Sequence, residues 1–373
     1  MASEIKTDQR IARLTPLAEV LAHIDSHVKP VALSRQDISS AVGLTLSEDI
    51  HVAQSLPAQA IALRDGYAVE AEATRDASSY APVVIASPSF VNAGDALPPG
   101  TDSILPQDVV AIQGATGAVL SPATIGDGVL PFGADAGPMA PLFCSGHVMR
   151  HRDIAILRAA SVPDVDVRAP RICVLQSRQG DDTILDAATT WMKHAVATAG
   201  GHPVSCAEGD LAEALRAADA DAVIGIGGTG TGRHDNAVAS LADSGELKFH
   251  GIAISPGETA AFGFVGGRPV LLSPGRLDAT IACWLFVGEP ILARLCGRPP
   301  DDAGRIARLT RKVSSSLGIT ELIAVACKDG QAEPLGSTYL SLQVLARADG
   351  WISVPAQSEG YPAGASVAVR PLP

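Results

Sequence analysis

Apolar and polar positions change their period three times along this chain. Residues 14–28 place Leu17, Val20, Leu21, Ile24 and Val28 at the spacing of an amphipathic helix, and 36–42 reads as a second, shorter one. From 51 to about 141 the runs become short and alternating, as in APVVIA at 81–86 and SILPQDVVAI at 103–112. Gly and Pro break them repeatedly, which predicts a β-rich insert whose GDALPPG stretch at 94–100 is a rigid turn. From 171 the order becomes strand 172–176, helix 187–199, strand 204–206, helix 210–218, strand 222–226, and this alternation predicts a parallel α/β sheet. An apolar helix over 279–295 ends at Cys296-Gly297, and the prolines at 299 and 300 mark a linker. The tail alternates again at 322–327, 339–345, 351–354 and 367–371, as in a small β-barrel or sandwich.

One turn interrupts this pattern with chemistry. The strand at 222–226 runs into GGTGTGRHD at 227–235, and glycines there let backbone N–H groups turn inward without Cβ clashes. The helical stretch 236–242 would add its N-terminal dipole, so the guest expected at Gly227, Gly228, Thr229, Gly230, Thr231 and Gly232 is a phosphate or other oxyanion. Ligands of open α/β sheets sit at the carboxyl ends of the strands, where this loop lies. Asp235 beside an anion is unfavourable unless Mg²⁺ bridges the two. Two other readings stay open: a tight turn that only closes the sheet, and a dinucleotide site, since Gly225, Gly227 and Gly230 satisfy GxGxxG. The loop follows the third strand of its region rather than the first, which weighs against a nicotinamide enzyme.

Composition narrows the partners. The chain has 373 residues, 28 Lys+Arg against 40 Asp+Glu and a net charge of -12, with no basic run, so no nucleic-acid partner is expected. The N-terminal MASEIKTDQR is polar and no apolar run approaches the ~18 residues of a span, so the expectation is a cytoplasmic protein without membrane contact. The six cysteines are widely spaced without a CxxC pair and read as reduced core residues.

Several motifs then acquire a common meaning: DISSAVGLTLSED at 37–49, RDGYAV at 64–69, 94–106, 227–235, ISPG at 254–257, SPG at 273–275 and the tail 341–369. In order and spacing the chain resembles the MoeA family of molybdopterin molybdenumtransferases, similar also to the C-terminal part of gephyrin. The resemblance implies an elongated, homodimeric, α/β and β multidomain subunit. Its parts are a helical/linker domain at 12–50 plus 141–168, a β-rich insert at 51–140, an α/β molybdopterin-binding domain at 169–300 and a C-terminal β-barrel at 301–373. It implies binding of molybdopterin or its adenylate and insertion of molybdate, assisted by Mg²⁺, with release of AMP. Gly227, Gly228, Gly232 and Asp235 match the family's GGxSxGxxD loop, and Asp65, Gly66 and Tyr67 match the DGYA turn by which the second copy closes the cleft. A molybdoenzyme or cofactor-assembly protein is the partner class implied.

The departures fall on charge. The family's KxxxKPGKP segment reads GIAISPGET at 251–259, leaving Ser255 as a donor and putting Glu258 where a cation stood. At an effective dielectric near 20, a unit pair ~4 Å apart is worth about 4 kcal/mol, so the sign matters. PGNP becomes PGRL at 274–277, with Pro274 and Gly275 kept and Arg276 restoring one positive charge. The GDEL acids align either with RQGD at 178–181 or with GDDT at 180–183, the loop serine is Gly230, the TGxxxP threonine is Ala93, and the GEDI acid is kept as Asp135.

On this basis Asp65, Asp235 and Asp182 are the candidate catalytic residues. Asp181, Asp182 and Asp235 are candidate metal ligands, with helix capping as the competing role for at least one acid of the Asp181, Asp182 and Asp186 cluster. His234 and His250 are further ligand-side candidates, whereas His147 and His151 read as surface residues and Trp191, Trp284 and Trp351 as packing. A catalytically degenerate homologue serving as a binding or scaffold module is the second functional reading, favoured by the missing lysines.

Overall fold

The apolar runs between 171 and 273 assemble a six-stranded sheet in the order His202–Val204, Arg171–Gln176, Ala222–Ile226, Arg268–Ser273, Ala261–Val265, Glu246–His250. The first four strands run parallel, Ala261–Val265 runs against them, and Glu246–His250 is in turn antiparallel to Ala261–Val265. Ile172, Val174, Ile224, Ile226 and Leu271 face one core, and Cys173, Leu175, Val223, Val270 and Leu272 the other. Both faces are buried, which is why these strands read as continuous apolar runs rather than alternating ones. The computed structural model describes residues 9–177, 182–206, 210–233, 235–299 and 304–373. Asp181, His234 and Pro300 lie outside the described residues.

By contacts the chain divides into two units, residues 1–47, 145–154 and 164–373 forming the larger, and 48–144 with 155–163 the smaller. In the larger unit the helix Leu17–His27 packs Val20 and Ile24 into the first core. The helix Thr183–Thr198 starts four residues before the expected 187, because Asp182 Oδ1 accepts from the N–H groups of Ile184 and Leu185, both at 3.1 Å. Leu277–Cys283 continues through a π-turn at Trp284–Gly288 into Glu289–Leu295, giving the long apolar helix its expected extent.

The tail closes on itself. Thr320–Lys328 pairs with both Gln331–Gly336 and Gly350–Val354, and the circuit returns through Arg305–Leu309 and Ser366–Pro371 to make a five-stranded barrel. Closure removes the exposed edges that an open sheet would present.

Three expectations are corrected. Residues 36–42 are not a helix: Ser34–Asp37 is a strand against Asp164–Arg168, and Asp37 then accepts from Ser39 N–H at 2.8 Å to start the short 3₁₀ turn Ile38–Ser40. Residues 339–345 are not a strand, because Ser341 Oγ caps the helix Leu342–Arg347 by accepting from Val344 N–H at 3.3 Å. The six cysteines are not all reduced: Cys173 and Cys206 are joined, with Cα atoms 5.7 Å apart. Parallel pairing of Arg171–Gln176 with His202–Val204 brings them together, which a 33-residue separation hid.

The smaller unit is β-rich, with Gly66–Val69 between Ser89–Val91 and Ser103–Leu105, and Thr116–Val119 between Val83–Ala86 and Val110–Gln113. A Cβ at Gly66 would lie 2.3 Å from the Leu105 carbonyl oxygen, so close strand pairing demands glycine in this motif.

His147 does more than meet solvent. Its Nε2 lies 2.7 Å from Asp153 Oδ2, which also accepts from Arg150 N–H at 2.8 Å. Burial pushes the Asp153 carboxyl up, but these hydrogen bonds and the neighbouring charges outweigh it and hold the group below its ordinary 3.8. A depressed folded value means stability that is complete above the unfolded value and lost as pH falls through the folded one. Asp153→Asn is therefore expected to lower stability at pH 7 by about 1–3 kcal/mol and to flatten its decline below pH ~4. Melting temperatures of both proteins across that acid range check this; parallel curves would disprove it.

Candidate functional site

Three carboxyl ends of parallel strands meet in the larger unit. Ser177 follows the first and donates its N–H to the Ile226 carbonyl at 2.9 Å, while Gly227 donates to the Ser273 carbonyl at 2.8 Å. A Cβ on Gly275 would stand 3.4 Å from Gly227 Cα, so the sequence candidates Gly227, Gly228, Pro274 and Gly275 are brought side by side. Gly227 and Gly228 take φ of +94° and +71°, conformations that glycine adopts without strain.

The loop then folds around its own carboxylate. Asp235 Oδ2 accepts from Gly232 N–H at 3.0 Å, and Cβ atoms at Gly230 or Gly232 would lie 2.8 or 2.9 Å from it. Among the described residues, the backbone N–H groups of Gly228, Thr229, Gly230 and Thr231 make no hydrogen bond. Thr229 is only 2% exposed, and a buried donor without a partner costs free energy unless something else supplies the acceptor. Thr229 Oγ1 and Thr259 Oγ1 share a hydrogen bond at 2.9 Å, and His250 Nε2 lies 3.3 Å from the Thr229 carbonyl. These contacts tie the loop to the segment 251–259.

The positive charge expected at Arg276 is already engaged. Its Nη2 and Nε reach Asp278 at 2.5 and 3.1 Å, and its guanidinium lies 4.6 Å from the Tyr339 ring centre. Those hydrogen bonds raise the Arg276 pKa and hold the pair together. Asp278 is 3% exposed and also accepts from the N–H groups of Ala279 and Leu340. Glu258 Oε2 accepts from Gly257 N–H at 3.1 Å, and Ser255 is buried. Cys283 beneath Gly257 has its thiol pushed up to about 12 by burial, so it stays neutral and unreactive.

The acids are dispersed in role. Asp182 caps its helix, and Asp186 Oδ1 accepts from Gln176 Nε2 at 2.6 Å. Among the described residues no three His, Cys, Asp or Glu side chains converge as a metal cage. Of the acids expected to hold Mg²⁺, Asp182 and Asp235 accept from backbone N–H groups, and Asp181 lies outside the described residues. In the smaller unit, Asp65 Oδ1 accepts from Ala93 N–H at 2.8 Å, the turn-stabilising contact its place before Gly66 suggests.

Two residues at the loop escape a reading of the sequence. Ser177, 8% exposed with an unpartnered Oγ, packs its Cβ near Gly228. Its place immediately after a strand that ends beside the loop was the available signal. Gln9 reaches the loop from more than two hundred positions away and carries none.

Fold and site together define a multidomain α/β protein with a glycine turn of open backbone donors and a closed β-barrel. Three family models match it in sequence order: the MoeA N-terminal region (domain I and II) over 15–161, a probable molybdopterin binding domain over 172–294, and the MoeA C-terminal region (domain IV) over 306–372. The chain belongs to the MoeA family. It is similar to molybdopterin molybdenumtransferase 2 of Mycobacterium tuberculosis, 25% identical over 95% of this chain and 98% of that protein. A putative molybdopterin biosynthesis protein of Methanocaldococcus jannaschii is 29% identical, the match spanning 40% of this chain and 36% of that protein. A MoeA crystal structure from Pyrococcus horikoshii superposes with a TM-score of 0.76 at 22% identity, covering 96% of this chain and 99% of that one. No helix among the described residues is long and apolar enough to cross a membrane.

Proposed function

We propose that this chain acts in molybdenum cofactor biosynthesis, binding molybdopterin or its adenylate with a phosphate seated on the backbone donors of residues 228–231. The observation that supports this most is the buried, unpartnered N–H of Thr229 in a turn at the carboxyl ends of parallel strands. Backbone donors recognise phosphate independently of the chain's net negative charge. The finer reading is that bound adenylate receives molybdate and releases AMP, in a homodimer whose Asp65 turn serves the second copy's site. Within it, Asp235 keeps the loop shaped and the Ser273–Gly275 bend seats it.

A second reading, a non-enzymatic binding or scaffold protein for a partner enzyme, is favoured by two features. Arg276 is held by Asp278, and Glu258 stands where the family has a cation. Titration calorimetry with molybdopterin and its adenylate, with and without Mg²⁺, followed by molybdate and an AMP assay, separates the two. Binding followed by AMP release is the outcome expected of a transferase. Binding with no AMP under any condition supports the second reading, and binding of neither pterin overturns the transferase reading and leaves a scaffold for a protein partner.

A further inference from the structure

The loop contains a side chain from far upstream. Gln9 is 6% exposed. Its Nε2 donates to the carbonyls of Gly228, Gly230 and Asp235 at 3.3, 2.7 and 2.9 Å, and its Oε1 accepts from the N–H groups of Val238 and Ala239 at 2.9 and 3.2 Å. The last two are first-turn donors of the helix Ala237–Ser244. A neutral carboxamide thus occupies the helix terminus that the sequence assigned to an anion.

In a trans peptide the carbonyl and the following N–H point to opposite sides. Drawing the Gly228 and Gly230 carbonyls onto Gln9 therefore turns the N–H groups of Thr229 and Thr231 away from it, and neither has a partner among the described residues. We propose that Gln9 is a positioning residue: its carboxamide fixes these two peptides so that Thr229 and Thr231 present their N–H groups to a phosphate oxygen of the ligand. The inference rests on the loop being the phosphate seat. Gln9 lies before the span 15–161 that matches the family's N-terminal region.

Three full-length proteins test it: the parent, Gln9→Met and Gln9→Glu. Met keeps the length without polar atoms. Glu keeps an acceptor for the helix N–H groups, loses the donor when ionised, and regains one when protonated. Burial against carbonyl oxygens raises that carboxyl's pKa. In amide-resolved NMR, inorganic phosphate is expected to shift the Thr229 and Thr231 resonances of the parent but not of Gln9→Met. In calorimetry, Gln9→Met is expected to bind the pterin nucleotide about tenfold or more weakly. Gln9→Glu should match it near pH 8 and recover towards the parent as pH is lowered to about 5.5, each affinity being taken relative to the parent at the same pH because the loop also carries the His250 imidazole beside the Thr229 carbonyl.

A packing role alone would lower the melting temperature and leave affinity unchanged with no recovery in acid, which overturns the inference. If Gln9→Met does not fold, the Gln9→Glu pH series decides. Nucleotide binding that both variants retain within about twofold removes Gln9's role and leaves the proposed function standing. Parent protein that binds no nucleotide, yet shows phosphate shifts at the two amides that depend on Gln9, removes the proposed function and leaves the brace. Absence of those shifts in the parent overturns the brace.

Discussion

Asp278→Ala is expected to destabilise the protein by about 3 kcal/mol, at the lower end of the range for breaking a buried ion pair. The carboxylate is 3% exposed and serves Arg276 and the N–H groups of Ala279 and Leu340 together. Alanine leaves two backbone donors without acceptors in a dry site, each with a desolvation penalty of about 1–3 kcal/mol. Arg276 is 57% exposed and can turn to water, which keeps the total below the 5 kcal/mol seen when both charges are sealed in. Asp278→Asn retains an acceptor and should lose roughly half as much. The change has a second readout. Arg276, released beside Gly275, adds uncompensated positive charge next to the glycine turn, so inorganic phosphate should bind more tightly to Asp278→Ala than to the parent. Urea unfolding and phosphate calorimetry measure the two effects. A stability loss below about 1 kcal/mol would show that water replaces the carboxylate.

Gly228→Val should weaken pterin-nucleotide binding by about tenfold or more while the protein remains folded. Gly228 has φ of +71°, and a Cβ there would sit 3.2 Å from Ala237 Cβ. A β-branched residue in that conformation carries about 1–3 kcal/mol of strain, which the turn relieves by rotating its peptides. That rotation moves the Thr229 N–H, the donor on which the site depends. Gly267→Val is the control, since Gly267 has a similar φ of +82° in a hairpin with nothing within 4 Å of its Cβ position. Both variants should show comparable losses of stability, and only Gly228→Val should lose ligand. Equal calorimetric affinities in the two would remove the turn from the site.

Much of the α/β sheet was legible because a strand buried on both faces must be apolar throughout, and 172–175 and 222–226 are. The tail barrel was legible from alternation and turns. The misread elements were governed by single side chains. Asp37 and Ser341 redirect the backbone locally through hydrogen bonds that an apolar period does not register. The Cys173–Cys206 pairing depended on which strands became neighbours, a matter of topology rather than spacing.

The glycine loop shows where each source of information ends. Its glycines, its place after an apolar strand and its trailing aspartate are properties of the sequence, because only glycine tolerates the φ values and close carboxylate approach observed there. The loss of the lysines is equally a property of the sequence. Only the tertiary structure decided that Arg276 is bound to Asp278, that Asp182 serves as a cap, and that the helix terminus behind the loop is filled by Gln9. Each of those outcomes is a choice among hydrogen-bond partners, and folding settles it by bringing distant donors and acceptors within about 3 Å and excluding water.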